Sequence, residues 1–231
     1  MRPGRVLPRS FYERAPDVVA RELLGCVVET ESPEGVVAVR LVETEAYAGP
    51  DDAASHAWRG PTRRTAVMFG PPGRSYVYFS YGMHWALNLV CEPQGRAAAV
   101  LLRAGEIVSG ADLARARRRP GAPEHRLAAG PANLAACLGL DGTWSDRSVT
   151  SARGALRVRA GERPSAGDVL TAPRVGISRA VDVTWRFAVA DDPRVSSPRP
   201  RRPRRERLAP RSPDAGNPGA RRREGRGGWP A

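Results

Sequence analysis

Five runs between residues 26 and 102 are rich in Val, Leu and aromatic side chains and are separated by Gly, Pro and polar residues: 26–30, 36–47, 75–80, 85–91 and 97–102. β-Branched and aromatic side chains fit a pleated, half-buried surface, so these runs are read as strands. The stretches EGV (from Glu34) and EPQGR (from Glu92) between them are read as hairpin turns. A chain with so many closely spaced strands must build its core on a sheet. Helices are expected over residues 16–24, where Val18, Val19, Leu23 and Leu24 follow Pro16 and Asp17, and over 111–119 and 131–138. Gly130 and Pro131 start the last of these and Gly139 stops it. From residue 153 to 195 short strands and turns return. No internal repeat is visible.

Residues 1–197 are long enough to bury a core and are read as one domain. Residues 198–231 consist mainly of Pro, Arg and Gly with almost no aliphatic side chains. Such a segment cannot bury enough surface to offset its ordering entropy, so a disordered tail is expected. The chain holds 37 basic residues, every one of them Arg, against 24 acids, a net charge of +13. The tail accounts for 11 Arg against 3 acids, leaving 26 against 21 in residues 1–197. This balance favours polyanions through phosphate neutralisation but does not separate DNA from RNA or an acidic membrane. Cys26, Cys91 and Cys137 stand far apart without a CxxC, which suggests buried thiols rather than disulfides or a zinc site. The N-terminus has no continuous apolar stretch of signal-peptide type, and no run approaches eighteen apolar residues. A cytoplasmic chain is expected.

The side chains able to do chemistry concentrate between residues 41 and 103. In a strand, alternate residues share a face about 6.5 Å apart, which puts Glu43, Glu45 and Tyr47 on one side and Val42, Thr44 and Ala46 on the other. Two acids facing one space can place a water for attack on a glycosidic carbon, one as base and the other orienting a partner or pairing with Arg. A pair of strand glutamates is more often a solvated or salt-bridged face, so its surroundings decide. Tyr47 and His56 offer planar groups to sandwich a ring, and Tyr78 could close a third side. The Tyr81-Gly82-Met83 turn could project an aromatic wedge. Asn88 sits inside an apolar run and Arg103 ends another. Each has an ordinary structural explanation; their joint occurrence points to an extruded base.

These segments resemble the 3-methyladenine DNA glycosylases of the alkyladenine type, enzymes of base-excision DNA repair. The likeness begins at SFYERAPDVVARELLG and is strongest in VETEAYAGPDDAASHAWRG and VMFGPPGRSYVYFSYGMHWALN. It continues in LAAGPANLAACLGL and closes with RVGISRAVDVTWRF and DDPRVS, covering residues 8–197. The resemblance implies an α+β fold, a single mixed domain with a curved, mainly antiparallel β-sheet and surrounding helices. It also implies double-stranded DNA with damaged purines as the partner, and neither cofactor nor metal. Glu45 then matches the general base, Tyr47 and His56 the groups enclosing the flipped base, and Tyr78 a further pocket wall. Tyr81 matches the tyrosine inserted into the duplex, with Met83 a neighbouring DNA contact. Asn88 matches the residue that polices the purine edge, and Arg103 a contact to a phosphate near the lesion. Many members carry Pro-Arg-Asn where this chain has Arg63, Arg64 and Thr65, which puts contacts carried over to that loop in doubt.

The chemistry agrees. Alkylation at N3 or N7 makes the purine a cation and weakens the N-glycosidic bond, so a positioned water, a base and a tolerant pocket suffice. The expected substrates are 3-methyladenine, 7-methylguanine, hypoxanthine and ethenoadenine in duplex DNA. Strand cleavage by β-elimination uses an amine, and no lysine is present. The expected product is therefore an abasic site and the expected enzyme a monofunctional glycosylase, acting as a monomer. Two other classes compete. A non-catalytic nucleic-acid binder of the same fold would not need a water-activating acid, and a small-molecule nucleosidase would not need the Tyr81 wedge.

Overall fold

A computed structural model describes residues 4–80 and 82–200. Tyr81 and residues 201–231, which include most of the expected disordered tail, lie outside the described residues. The helices are α1 (Arg9–Tyr12), α2 (Pro16–Glu22), α3 (Ala111–Ala116) and α4 (Pro131–Leu138). The strands are β1 (Val27–Ser32), β2 (Gly35–Tyr47), β3 (Ser75–Ser80), β4 (His84–Cys91), β5 (Ala98–Ser109), β6 (Leu156–Arg159), β7 (Val169–Ala172) and β8 (Arg186–Val189). They form one sheet in the order β3-β4-β5-β2-β1-β6, with β8 joined to β2 and β7 to β8. Every pairing of these strands is antiparallel. The expected α+β class is the class observed.

Alternation along β3, β4 and β5 separates two faces. Val77, Leu87, Leu89, Ala98, Val100 and Leu102 join the main core, together with buried residues of α1, α2 and α4. Tyr76, Val90 and Ala99 point the other way and meet Ala57 and Met68 from the long connection between β2 and β3. Helix α2 seats Val19 and Ala20 in the main core with Leu23 just past its end, and Thr44 donates from β2 to the Ala20 carbonyl at 2.8 Å. Helix α4 does the same with Leu134, Ala135, Cys137 and Leu138, against β4 and β5. All three cysteines are buried and free. No helix among the described residues is long and apolar enough to cross a membrane.

Strand β5 runs to Ser109, past the end at 102 read from the sequence, because Gly105 is not a breaker here. A Cβ at Gly105 would lie 2.4 Å from the Arg40 carbonyl oxygen and 2.4 Å from Val39 Cγ1. Its glycine serves a close approach of backbones, a use that looks like a turn signal in sequence.

The pairing of β2 with β5 also departs from the simple alternation. Register shifts fall between Leu41 and Glu43 and between Glu43 and Thr44. An extra residue in one strand reverses the phase of all that follows. Val37, Val39 and Leu41 face the main core before the irregularity, and Ala46 faces it afterwards. Val42 is therefore not on the side of Thr44 and Ala46; it packs with Ala104, Ala188 and Val195 in a separate small cluster. The same irregularity is where β8 docks, pairing Arg186 to Ala188 with Glu45 to Glu43.

Candidate active site

A cavity of about 430 Å³ opens on the face of the sheet away from the main core. Its floor comes from alternate residues of three adjacent strands: Tyr76 and Tyr78 of β3, Asn88 of β4, and Leu101 and Arg103 of β5. Register aligns them, since Tyr76 pairs with Asn88 and Asn88 with Leu101. Tyr47 ends β2 at one side, and loops carrying His56 and Arg64 and the segment Val175 to Ile177 form the walls. Tyr47, His56, Tyr78, Asn88 and Arg103 thus share one cavity.

Glu45 is fully buried immediately behind this surface. Oε2 accepts a hydrogen bond from Tyr47 Oη at 2.9 Å and pairs with Arg103 Nη1 at 3.2 Å. Oε1 accepts from the Val175 backbone N–H at 2.8 Å. Every one of these partners lines the cavity. A carboxylate oxygen can accept two hydrogen bonds, so Oε1 keeps an acceptor site beyond Val175.

Glu43, two residues earlier, is also fully buried and is more heavily engaged. Oε1 accepts from Arg103 Nε at 2.9 Å, Arg186 Nε at 2.6 Å and Ser196 Oγ at 2.9 Å, while Oε2 accepts from the Ser196 N–H at 2.7 Å. Burial alone would raise its pKa, but Arg103, Arg186 and the Ser196 hydrogen bonds outweigh that and hold it below the usual value. Neither Glu43 nor Glu45 lines the cavity itself; the partners of Glu45 do, and of those of Glu43 only Arg103 does. Its geometry makes it the anchor of Arg103.

Arg103 spends its donors inside the protein. Nε reaches Glu43, Nη1 reaches Glu45 and Nη2 donates to Ser196 Oγ at 3.1 Å, with the residue 5% exposed. Desolvation opposes the charge, but Glu45 and Glu43 together raise the guanidinium pKa above its ordinary value. A bridge between two buried carboxylates is its principal engagement among the described residues.

The aromatic side of the cavity is arranged around His56. Its ring lies edge-on to Tyr78 at 4.5 Å and to Tyr76 at 6.1 Å between centroids, and those tyrosines stack on each other at 5.4 Å. The Tyr76 hydroxyl lies 3.2 Å from His56 Nδ1. His56 is exposed at its outer side, yet desolvation among these rings pushes its pKa down to about 4, with the Arg64 guanidinium acting in the same direction. The imidazole is therefore neutral at physiological pH. Asn88 is buried, its amide donating to the Tyr76 carbonyl at 3.2 Å.

Three further contributors have no site role in the sequence reading, although Arg174 and Ser196 lie in the closing family-like motifs. Arg64, in the loop where the family pattern departs, reaches Tyr76 Oη at 3.3 Å and His56 Nε2 at 3.3 Å and lies 5.0 Å above the Tyr78 ring. Arg174 is buried beneath Tyr47, 4.7 Å from its ring, paired with Asp52 through both nitrogens and bonded to the Ala46 carbonyl at 2.9 Å. It fixes Tyr47 and leads into the Val175 wall. Ser196 reaches Glu43 from 153 residues away. The β3–β4 hairpin leaves Phe79 and Met83 exposed, Met83 at 67%. Met83 belongs to none of the core clusters of the described residues.

With that geometry in place, the comparisons with known proteins agree. Residues 10–193 match the family model described as Methylpurine-DNA glycosylase (MPG). A protein of Frankia casuarinae named "Putative 3-methyladenine DNA glycosylase" is 51% identical over 204 residues, covering 84% of this chain and 94% of its own. Relatives of the same name from Streptomyces avermitilis and Cutibacterium acnes are 47% and 49% identical, covering 87% and 78% of this chain and 95% and 94% of their own. The chain belongs to the methylpurine-DNA glycosylase family, the DNA glycosylases of base-excision repair to which its sequence motifs pointed.

Proposed function

We propose that this glycosylase takes alkylated and deaminated purines, 3-methyladenine, 7-methylguanine, hypoxanthine and ethenoadenine among them, out of duplex DNA and hydrolyses their N-glycosidic bond with a water activated by Glu45. The observation that carries the reading is the contrast between the two glutamates. Glu43 accepts four hydrogen bonds from Arg103, Arg186 and Ser196, whereas Glu45 is held by three cavity-lining groups, with the Val175 N–H as the one donor to Oε1. In the reaction the water oxygen bonds to C1′ as the C1′–N bond breaks, its proton passes to Glu45, and the bonding pair leaves with the purine. The carboxylate charge also stabilises the oxocarbenium character developing at C1′.

Tyr47, His56 and Tyr78 hold the extruded ring. A neutral His56 suits a cationic methylated purine, which an imidazolium would repel. Asn88 refuses the exocyclic amine of guanine, an unpaired buried donor costing about 1–3 kcal/mol. Arg103, anchored by Glu43 and Ser196, aims Glu45. Tyr81 fills the gap in the duplex with Met83 beside it, and its replacement by Ala should cost more on a well-paired lesion than on the same lesion in a mismatch, where extrusion is cheaper. With no lysine available for a Schiff base, the product is an abasic site without strand cleavage. The enzyme acts as a monomer on one lesion at a time. Base release from a hypoxanthine-containing duplex, compared with free deoxyinosine, tests the reading: release from the duplex alone is expected, and release from the nucleoside at a similar rate would make the enzyme a nucleosidase.

A further inference from the structure

Beside the base cavity lies a second cleft of about 430 Å³, open to solvent and sharing with the first the stretch Ala54 to His56 and the pair Gly176–Ile177. Its outer wall is Trp58, 38% exposed. The guanidinium of Arg179 lies 4.6 Å from the indole centroid and that of Arg59 lies 5.6 Å from an indole ring centroid of the same residue. Both arginines are exposed, and among the described residues neither forms an ion pair with a carboxylate. A guanidinium resting on an aromatic ring is held flat while its N–H edge stays available, the geometry that matches phosphate oxygens.

We infer that Arg59, Trp58 and Arg179 form a phosphate clamp that grips one phosphodiester of the damaged strand next to the extruded nucleotide. The placement carries the assignment. Arg59 belongs to the loop that supplies His56, and Arg179 to the segment that supplies Val175, the donor to Glu45. One anion held by both arginines therefore ties together the two loops that wall the base cavity. The inference rests on the reading that the cavity takes an extruded base, because the clamped phosphate is identified by its nearness to that base.

The test uses the full chain and a duplex carrying a 2′-fluorinated hypoxanthine nucleotide, in which fluorine slows cleavage, with single phosphates of the damaged strand replaced in turn by methylphosphonates. For the wild-type chain, one neutralised phosphate adjacent to the lesion should weaken binding about tenfold. The double variant Arg59→Ala/Arg179→Ala should bind the unmodified backbone about tenfold more weakly and lose its sensitivity to that one phosphate. Its slope of log K against log salt should become shallower by about 0.9 for each phosphate that the variant no longer neutralises. Arg179→Lys, which keeps the charge without the flat fork, should fall between the two, and Trp58→Phe should restore more binding than Trp58→Leu. If the double variant binds as the wild type does, or is weakened while keeping the same methylphosphonate profile, there is no clamp. Unchanged melting temperatures would show that the variants fold. Failure of the wild-type chain to release hypoxanthine from the unfluorinated duplex would instead overturn the excision reading, whereas intact release without phosphate coupling overturns the clamp alone.

Discussion

The floor and the rim of the cavity use arginine in opposite ways. At and beneath the floor, Arg103 and Arg186 are buried and paired with carboxylates, and their hydrogen bonds run onward to Ser196. On the rim, Arg59, Arg64 and Arg179 are exposed and rest on Trp58 or Tyr78. Buried charges must be compensated within the protein, and the compensation fixes their position. Among the described residues Arg59 and Arg179 meet no carboxylate, whereas Arg64 directs its N–H groups to Tyr76 and His56. On the function proposed above, the buried groups set up the chemistry and the rim meets the substrate.

The sharpest way to break this comparison is to neutralise each of the two buried glutamates. Glu45→Gln should lower single-turnover excision by about 100-fold or more while leaving lesion binding within a few-fold, because the amide cannot take the water's proton. Glu43→Gln should do the reverse. Leaving Arg103 and Arg186 without their shared anion should cost about 3–5 kcal/mol in chemical denaturation, with a smaller loss of rate. If Glu43→Gln proved the more damaging to the rate of folded enzyme, the roles given to the two carboxylates would be exchanged.

A second test concerns how far along the chain the floor extends. Ser196 holds Glu43, and the Pro198 carbonyl accepts from Arg186 Nη1 at 2.8 Å, beyond the last residue of the family match. A chain ending at Pro200 should keep its single-turnover rate, losing only non-specific DNA affinity and salt dependence with the 11 arginines of 198–231 reduced to one. A chain ending at Val195 should lose tenfold or more in rate or fail to fold. Equal rates from both would detach Ser196 from the site.

On the rim, Arg64→Ala should change the ranking of substrates. A neutral purine such as hypoxanthine gains negative charge as it leaves, which a nearby guanidinium stabilises, whereas a cationic methylated purine is opposed by it. Release of 7-methylguanine relative to hypoxanthine should rise severalfold in the variant. An unaltered ratio in competition assays would make Arg64 a structural partner of Tyr76 alone.

The smallest effect expected is the titration of His56. Its imidazole resonances should move with a midpoint near pH 4, and Arg64→Ala should raise that midpoint. The sign for stability follows from linkage. The unfolded chain binds this proton near pH 6.5 and the folded chain only near 4, so the contribution to stability is full above 6.5 and declines as pH falls towards 4. A midpoint near 6.5 in the folded protein would mean that the ring is solvated and that Arg64 is not beside it.

Much of the architecture was legible in the chain. The strand read over 75–80 and the helix read over 131–138 have the observed bounds, since each has a clean local period and a glycine or proline at its edges. The α+β class and the family were legible too, through motifs gathered in one stretch. Strand β5 was read too short because Gly105 marks a close approach, and Val42 was misplaced because no period announces a strand irregularity.

What the sequence by itself determined is the set of groups on the β2, β3, β4 and β5 face. Period-2 alternation puts Glu45, Tyr47, Tyr76, Tyr78 and Asn88 on chosen sides of their strands, and short hairpins leave neighbouring strands few ways to pair. Only the tertiary structure decided how differently the two glutamates are held. That difference depends on β8 docking at the irregular part of β2 and on Ser196 arriving from 153 residues away, together with Arg174 and Val175 closing one wall. Such contacts join segments distant in sequence, and their energies come from buried charge and hydrogen bonding, which leave no local period to read.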